Sequence, residues 1–221
     1  MHSIIGLGLK GFLVSSHVIS LPHTQISSCL PAAKVALHQL SRANTCLSTK
    51  LIASAVVLGL SVTLANHQKY GSPPAETSFA SFTGGFGIVV AAIGVASMFI
   101  DAIPTLVPLV VEGLAALFFL AGGIALAIAM KGVSCDGDLG SEAYGVRFFN
   151  KILNGGCPTV NRCYVSDKII FSPEEGNDSL KARCVRTQAD FAFQFIAMFA
   201  ALGALAMTFF TARRSGTRVI A

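Results

Sequence analysis

The chain has 221 residues, of which 53% are hydrophobic and only 12% charged, with a net charge of +5. Soluble domains carry about 25% charged residues, so this composition excludes an ordinary soluble domain. The basic residues form no stripe and do not interleave with aromatics, which excludes a nucleic-acid surface. The apolar residues gather into four runs, 51–65, 79–100, 102–130 and 191–212. Crossing a bilayer core about 30 Å thick takes roughly 20 apolar residues of helix. The expected fold is therefore an all-α membrane protein, a bundle of four transmembrane helices. A long loop joins the third helix to the fourth.

The first 46 residues precede the first span and hold Cys29, Cys46 and four of the five histidines. The stretch 4–21 is apolar in part but interrupted by Lys10, and no basic region precedes it. It makes a poor signal peptide and a poor fifth span. A surface amphipathic segment or an unstructured one is expected. Cys46 stands at the membrane boundary, where a cytosolic thiol is a candidate for palmitoylation.

The first span is expected at about 47–66, with Lys50 snorkelling to the headgroups. The second, about 79–100, is rich in small residues, including Gly84, Gly87, Ala91 and Gly94. Such residues let helices approach closely in lipid, where packing drives association. Asp101 lies in the turn that follows, and Pro104 and Pro108 open the third span at about 104–130. Ala121, Ala125 and Ala129 suggest a packing face there, as Ala197, Ala201 and Ala204 do in the fourth span, about 190–212.

Glu112 is the one charge inside the third run. An ionisable group at membrane depth is costly and suggests function by default. A proton relay would want a second titratable group nearby, and Asp190 falls at the opposite boundary. The nearest candidate partner is Lys50, and the expected structural role is a Glu112–Lys50 contact or a neutral Glu112 hydrogen-bonded to backbone.

Loop 131–189 holds Cys135, Cys157, Cys163 and Cys184 and no histidine. None of these cysteines has the close spacing of a zinc site, so disulfides are expected and no metal. Four cysteines allow three pairings, and sequence does not choose among them. Joining Cys135 to Cys184 would close the loop at its base and leave Cys157 for Cys163. Asn177-Asp178-Ser179 is a glycosylation sequon.

Charge gives the orientation. Residues 1–50 hold four Lys or Arg and no acid, and the tail 213–221 holds three Arg and no acid. The stretch 131–190 balances eight basic against eight acidic residues. Lys and Arg collect on the cytoplasmic side, so both termini are expected there, with the long loop outside. No catalytic or cofactor-binding constellation is visible: H-E-x-x-H, G-x-S-x-G and the P-loop are all missing. No enzymatic activity and no cofactor are expected.

Several strings carry a resemblance. FTGGFGIVVAAIG at 82–94, FIDAIP at 99–104, FFLAGGIALAIAMKGVSC at 118–135, LNGGC at 153–157 and RCVRTQADFAF at 183–193 occur in this order. Over about residues 47–214 the chain resembles the fungal MARVEL proteins related to the non-classical export protein. That family's pattern has acids at positions matching Asp101 and Glu112, and cysteines matching Cys135 and Cys184 bracket its outer loop. The resemblance implies a plasma-membrane protein of eisosome-like, sphingolipid-responsive domains, linked to unconventional export. Its partners would be membrane lipids, copies of itself or other membrane proteins, and endomembranes are a second location. A small transporter or channel lined by Glu112, or an accessory subunit of a membrane complex, is the alternative.

Overall fold

Residues 36–58 contain neither Gly nor Pro and are rich in the helix formers Ala, Leu, Gln and Arg. In the computed structural model they open helix α1, Ala36–Asn66, which starts well before the expected Leu47. The structure describes residues 36–100, 104, 106–136, 142–159, 162–165, 168–170 and 176–214. Asp101 and most of segment 1–46 lie outside these residues.

Helix α2, Ala75–Phe99, begins directly after Pro73 and Pro74, with Glu76 in its first turn. An acid there complements the helix dipole. Helix α3, Leu106–Ala129, carries Pro108 in its first turn and ends in a turn at Gly132, whose φ of 79° favours glycine. The short helix α4, Glu142–Phe149, and an antiparallel hairpin follow. The hairpin strands are β1, Cys163–Val165, and β2, Lys168–Ile170, with Tyr164 opposite Ile169. Helix α5, Asn177–Arg214, has 38 residues. At 1.5 Å per residue it is about 57 Å long, nearly twice the hydrocarbon thickness. The expected span 190–212 is thus its second part, and the first turns belong to what the sequence suggested was loop. Helices α1, α2, α3 and α5 are each long and apolar enough to cross a membrane.

Two compact units emerge. One takes in 59–81 and 123–192 of the described residues, the other 36–58, 82–122 and 193–214. The first, the loop unit, holds a core of Met130, Val133, Tyr144, Leu153, Val165 and Leu180 around the Cys135–Cys184 disulfide. A second disulfide, Cys157–Cys163, ties the stem of the hairpin. A smaller cluster brings Ile152 against Ala80, Leu126 and Phe191.

The other unit, the span unit, packs on small residues. A Cβ at Gly84 would lie 2.6 Å from the backbone nitrogen of Leu58, so α1 and α2 meet backbone to backbone there. A Cβ at Gly87 would meet Phe119 at 2.5 Å and the Ser54 hydroxyl as well. Ala197 and Ala201 are buried as expected for a packing face of α5. On α3 the expected Ala face is displaced. Ala121 is exposed, while Ala115, Phe119 and Gly122 on the neighbouring stripe are buried. Glu112 sets that rotation: turning Ala121 inward would turn the carboxylate toward lipid.

Candidate functional site

Helix α1 carries Lys50, Ser54 and Ser61, all fully buried. Their spacing of four and seven residues places them on one face. In the span unit, Lys50 Nζ forms an ion pair with Glu112 Oε1, and Glu112 is 4% exposed. Lys50 therefore does not snorkel to the headgroups as its position suggested. Its ammonium finds a carboxylate inside, where two opposite charges are held far more cheaply than either alone. Ser54 donates to the Lys50 carbonyl at 2.7 Å. Gly94 leaves the room beside this pair, since a Cβ there would reach Leu47 at 3.1 Å and Glu112 Oε1 at 3.9 Å.

Two further polar groups share this unit's interior. Glu112 Oε2 and both amide atoms of Gln194 have no hydrogen-bond partner among the described residues. Gln194 is fully buried over Gly122, and a larger residue at 122 would force the amide to move. A groove of about 640 Å³ runs between Leu47 and Leu51 of α1 and Ile88, Ala92 and Val95 of α2. Its lining is almost wholly apolar. Among the described residues no group of three or more His, Cys, Asp and Glu side chains converges as metal ligands do.

In the loop unit, Ser61 donates to Asp190 Oδ2 at 2.5 Å. Asp190 is fully buried and tied to α1. Arg183, Thr187 and Asp190 recur on one face of α5, and all three are buried. Arg147 is the hub of the loop. Its Nη1 donates to the carbonyls of Ser134 at 2.9 Å and Asp136 at 3.1 Å, and its Nη2 to Asn177 Oδ1 at 3.1 Å. One guanidinium fork thus joins α4, the segment after α3 and the start of α5. Burial pushes the Tyr144 phenol up from its usual pKa, with the nearby Arg147 charge opposing.

The string Asn154-Gly155-Gly156 has a geometric cause. The carbonyl of Gly155 accepts from the amides of Lys69 at 2.8 Å and Tyr70 at 3.0 Å. Gly156 has a φ of 95°, and a Cβ on it would strike the Tyr70 carbonyl. The two loops are clasped backbone to backbone, and only glycines fit between them. Lys151 and Glu76 add an exposed ion pair at 2.6 Å.

Two modification sites expected from sequence meet obstacles. Asn177 is 6% exposed, opens α5 and accepts a hydrogen bond from Arg147. Cys46 is buried and disulfide-bonded, which leaves no thiol to acylate. Arg147, Ser61, Arg183 and Gln194 escaped sequence reasoning. The available signal was the spacing of polar residues along α1 and α5, which recurs at helical periods inside otherwise apolar runs.

The model of the MARVEL membrane-associating domain matches residues 40–207. That match covers all four crossing helices and the disulfide loop. The chain belongs to the MARVEL family. No curated protein and no solved structure matches it significantly. MARVEL domains are membrane-associating structural domains, and with its four apolar helices this one is a multi-pass membrane protein.

Proposed function

We propose that this MARVEL protein organises plasma-membrane domains laterally and catalyses no reaction. The domains are eisosome-like and sphingolipid-responsive, with a link to unconventional protein export, and both termini face the cytoplasm. The observation that supports organisation over transport is the state of Glu112. Its charge is matched by Lys50 within the packed interior, and the groove between α1 and α2 is apolar and suited to lipid tails rather than to water. A carboxylate serving a transport path would need water or a chain of exchangeable groups leading to it. The orientation rests on Lys10, Lys34, Arg42 and the Arg213, Arg214 and Arg218 tail. Lys50 no longer counts toward it, and the disulfide at Cys46 is the one observation against it.

The test is live imaging of the full chain with a fluorescent tag. Static plasma-membrane patches that disperse when sphingolipid synthesis is blocked are expected. A uniformly diffusing protein indifferent to that block would overturn the reading. A proton-coupled flux in vesicles that Glu112→Gln abolishes, with the variant correctly placed, would replace it with the transport reading.

A further inference from the structure

Helix α4 is amphipathic in an unusual setting. Its buried side carries Tyr144 and Arg147, held as described above. Its other side presents Val146, 44% exposed, and Phe149, 61% exposed. These two are one turn apart and share a face. Phe149 is the most exposed aromatic ring of the loop unit among the described residues. In a water-facing ectodomain such a pair would be an unexplained apolar patch.

The depth of this patch can be read from its neighbours. Asn150 follows Phe149 directly, and its Nδ2 donates to the carbonyl of Ala129 at 2.8 Å. Ala129 is the last residue of α3. Two residues further on, Ile152 packs with Ala80 and Leu126, which lie inside the second and third crossing helices. The 24 residues of α3 extend about 36 Å at the helical rise, against a hydrocarbon core of about 30 Å. A centred α3 therefore places Ala129 only about 3 Å beyond the hydrocarbon edge, within a headgroup layer some 5–7 Å deep. The C-terminal end of α4 is fastened at that level by a side-chain hydrogen bond on one side and by a core contact on the other. Glu142 stands at the opposite end of the helix, about 10 Å away along its axis.

We infer that α4 is an interfacial helix whose Phe149 and Val146 insert into the loop-side leaflet of the protein's own membrane. The occupant of this face is lipid, at the junction of headgroups and acyl chains. Amphipathic helices bury their apolar side about 5–10 Å into that junction. The inference needs only that the four helices cross a bilayer, and it stands whatever the protein organises. Arg147 ties α4 to the segment after α3 and to the start of α5.

The chain contains no tryptophan, which makes a single introduced one a clean depth probe. Full-length Phe149→Trp and Val146→Trp would be reconstituted separately into phosphatidylcholine vesicles. Arg162→Trp, on an exposed position of the hairpin, gives the water-facing reference. Blue-shifted emission is expected at 149 and 146. Lipids brominated near the top of the acyl chain should quench both several-fold more than they quench position 162, and aqueous iodide should do the reverse. Emission at 149 and 146 that matches position 162 in colour and in iodide quenching would overturn the inference. Protection from both quenchers would overturn it too, because a second copy or another protein surface would then cover the face. Two independent positions guard against one substitution misfolding the helix.

Discussion

Removing Lys50 tests the interior most directly. Lys50 lies five residues in from Thr45, and Glu112 six in from Leu106, so each is about 8–9 Å inside the apolar stretch of its helix. Lys50→Met leaves the Glu112 carboxylate buried with no counter-charge. Breaking one side of a buried pair costs about 3–5 kcal/mol. Glu112→Leu leaves the ammonium stranded and should cost a similar amount. The double variant Lys50→Met/Glu112→Leu removes both charges. Replacing a whole buried pair with apolar side chains is commonly neutral or stabilising by about 1–4 kcal/mol. The double variant should therefore match or exceed the parent, although each single change is severe. With each single change costing about 3 kcal/mol or more and the double variant neutral, the coupling energy should be at least about 6 kcal/mol, above what neighbouring residues ordinarily show. Equilibrium unfolding in mixed micelles, by titrating a denaturing detergent into a mild one, measures it. Single effects that add to within about 0.5 kcal/mol in the double variant would refute the pairing.

The loop and the close helix contacts give further expectations. Changing Cys135 and Cys184 together to Ser should cost about 4 kcal/mol, from the entropy of a loop spanning 49 residues of sequence separation, whereas opening the six-residue Cys157–Cys163 link should cost about 2 kcal/mol. Thermal unfolding with and without reductant checks the order, and equal losses would contradict it. Gly84→Ala should destabilise by about 1–3 kcal/mol through overpacking against Leu58. Gly59→Ala meets nothing within 4 Å and should be neutral or mildly stabilising by its helix propensity, so the same melting assay must separate the two. Tyr144→Phe removes a buried hydroxyl that has no partner among the described residues and should be neutral or stabilising by about 1 kcal/mol. Because the folded phenol's pKa is raised, its contribution is intact below the unfolded value near 10 and is lost as pH rises through the folded one. The phenylalanine variant should lose that alkaline sensitivity, and an unchanged profile would count against it.

How much of this the sequence carries depends on the interaction. Run length alone located the crossing helices, because a bilayer tolerates no alternative to about 20 apolar residues. The expected Glu112 partner followed from depth, since Lys50 is the one cation on another span at a comparable level. Helix ends were harder. Residues 177–189 are polar and looked like loop, yet they continue α5 because Asn177 is clasped by Arg147 and Cys184 is bonded to Cys135. Neither tie has a local signature. The packing face of α3 was misplaced for a related reason. Ala121, Ala125 and Ala129 are uniformly small, whereas the stripe through Gly122 also holds Phe119, and the demand to bury Glu112 decides between them. Arg147 resembled any exposed loop cation until its three acceptors were assembled from distant segments.

The two units share one device. In the span unit an acid of α3 is anchored to Lys50 of α1, and in the loop unit an acid of α5 is anchored to Ser61 of the same helix. Lys50 and Ser61 are eleven residues apart, three helical turns, and so present the same face of α1. Lipid offers apolar helices no hydrophobic reason to choose one neighbour over another. Polar contacts at two levels of one face supply that choice, because a helix rotated or shifted by a turn would leave a carboxylate unmet. The small residues then set how closely the helices approach, and the acids set which faces meet. This division predicts different failures. Overfilling Gly84 should loosen the fold while keeping its helix pairing, whereas Asp190→Leu with Ser61 intact should permit α5 to rotate. Disulfide cross-linking between cysteines introduced on the facing sides of α1 and α5 would register that rotation. An unchanged cross-linking pattern in the Asp190 variant would show that packing alone fixes the register.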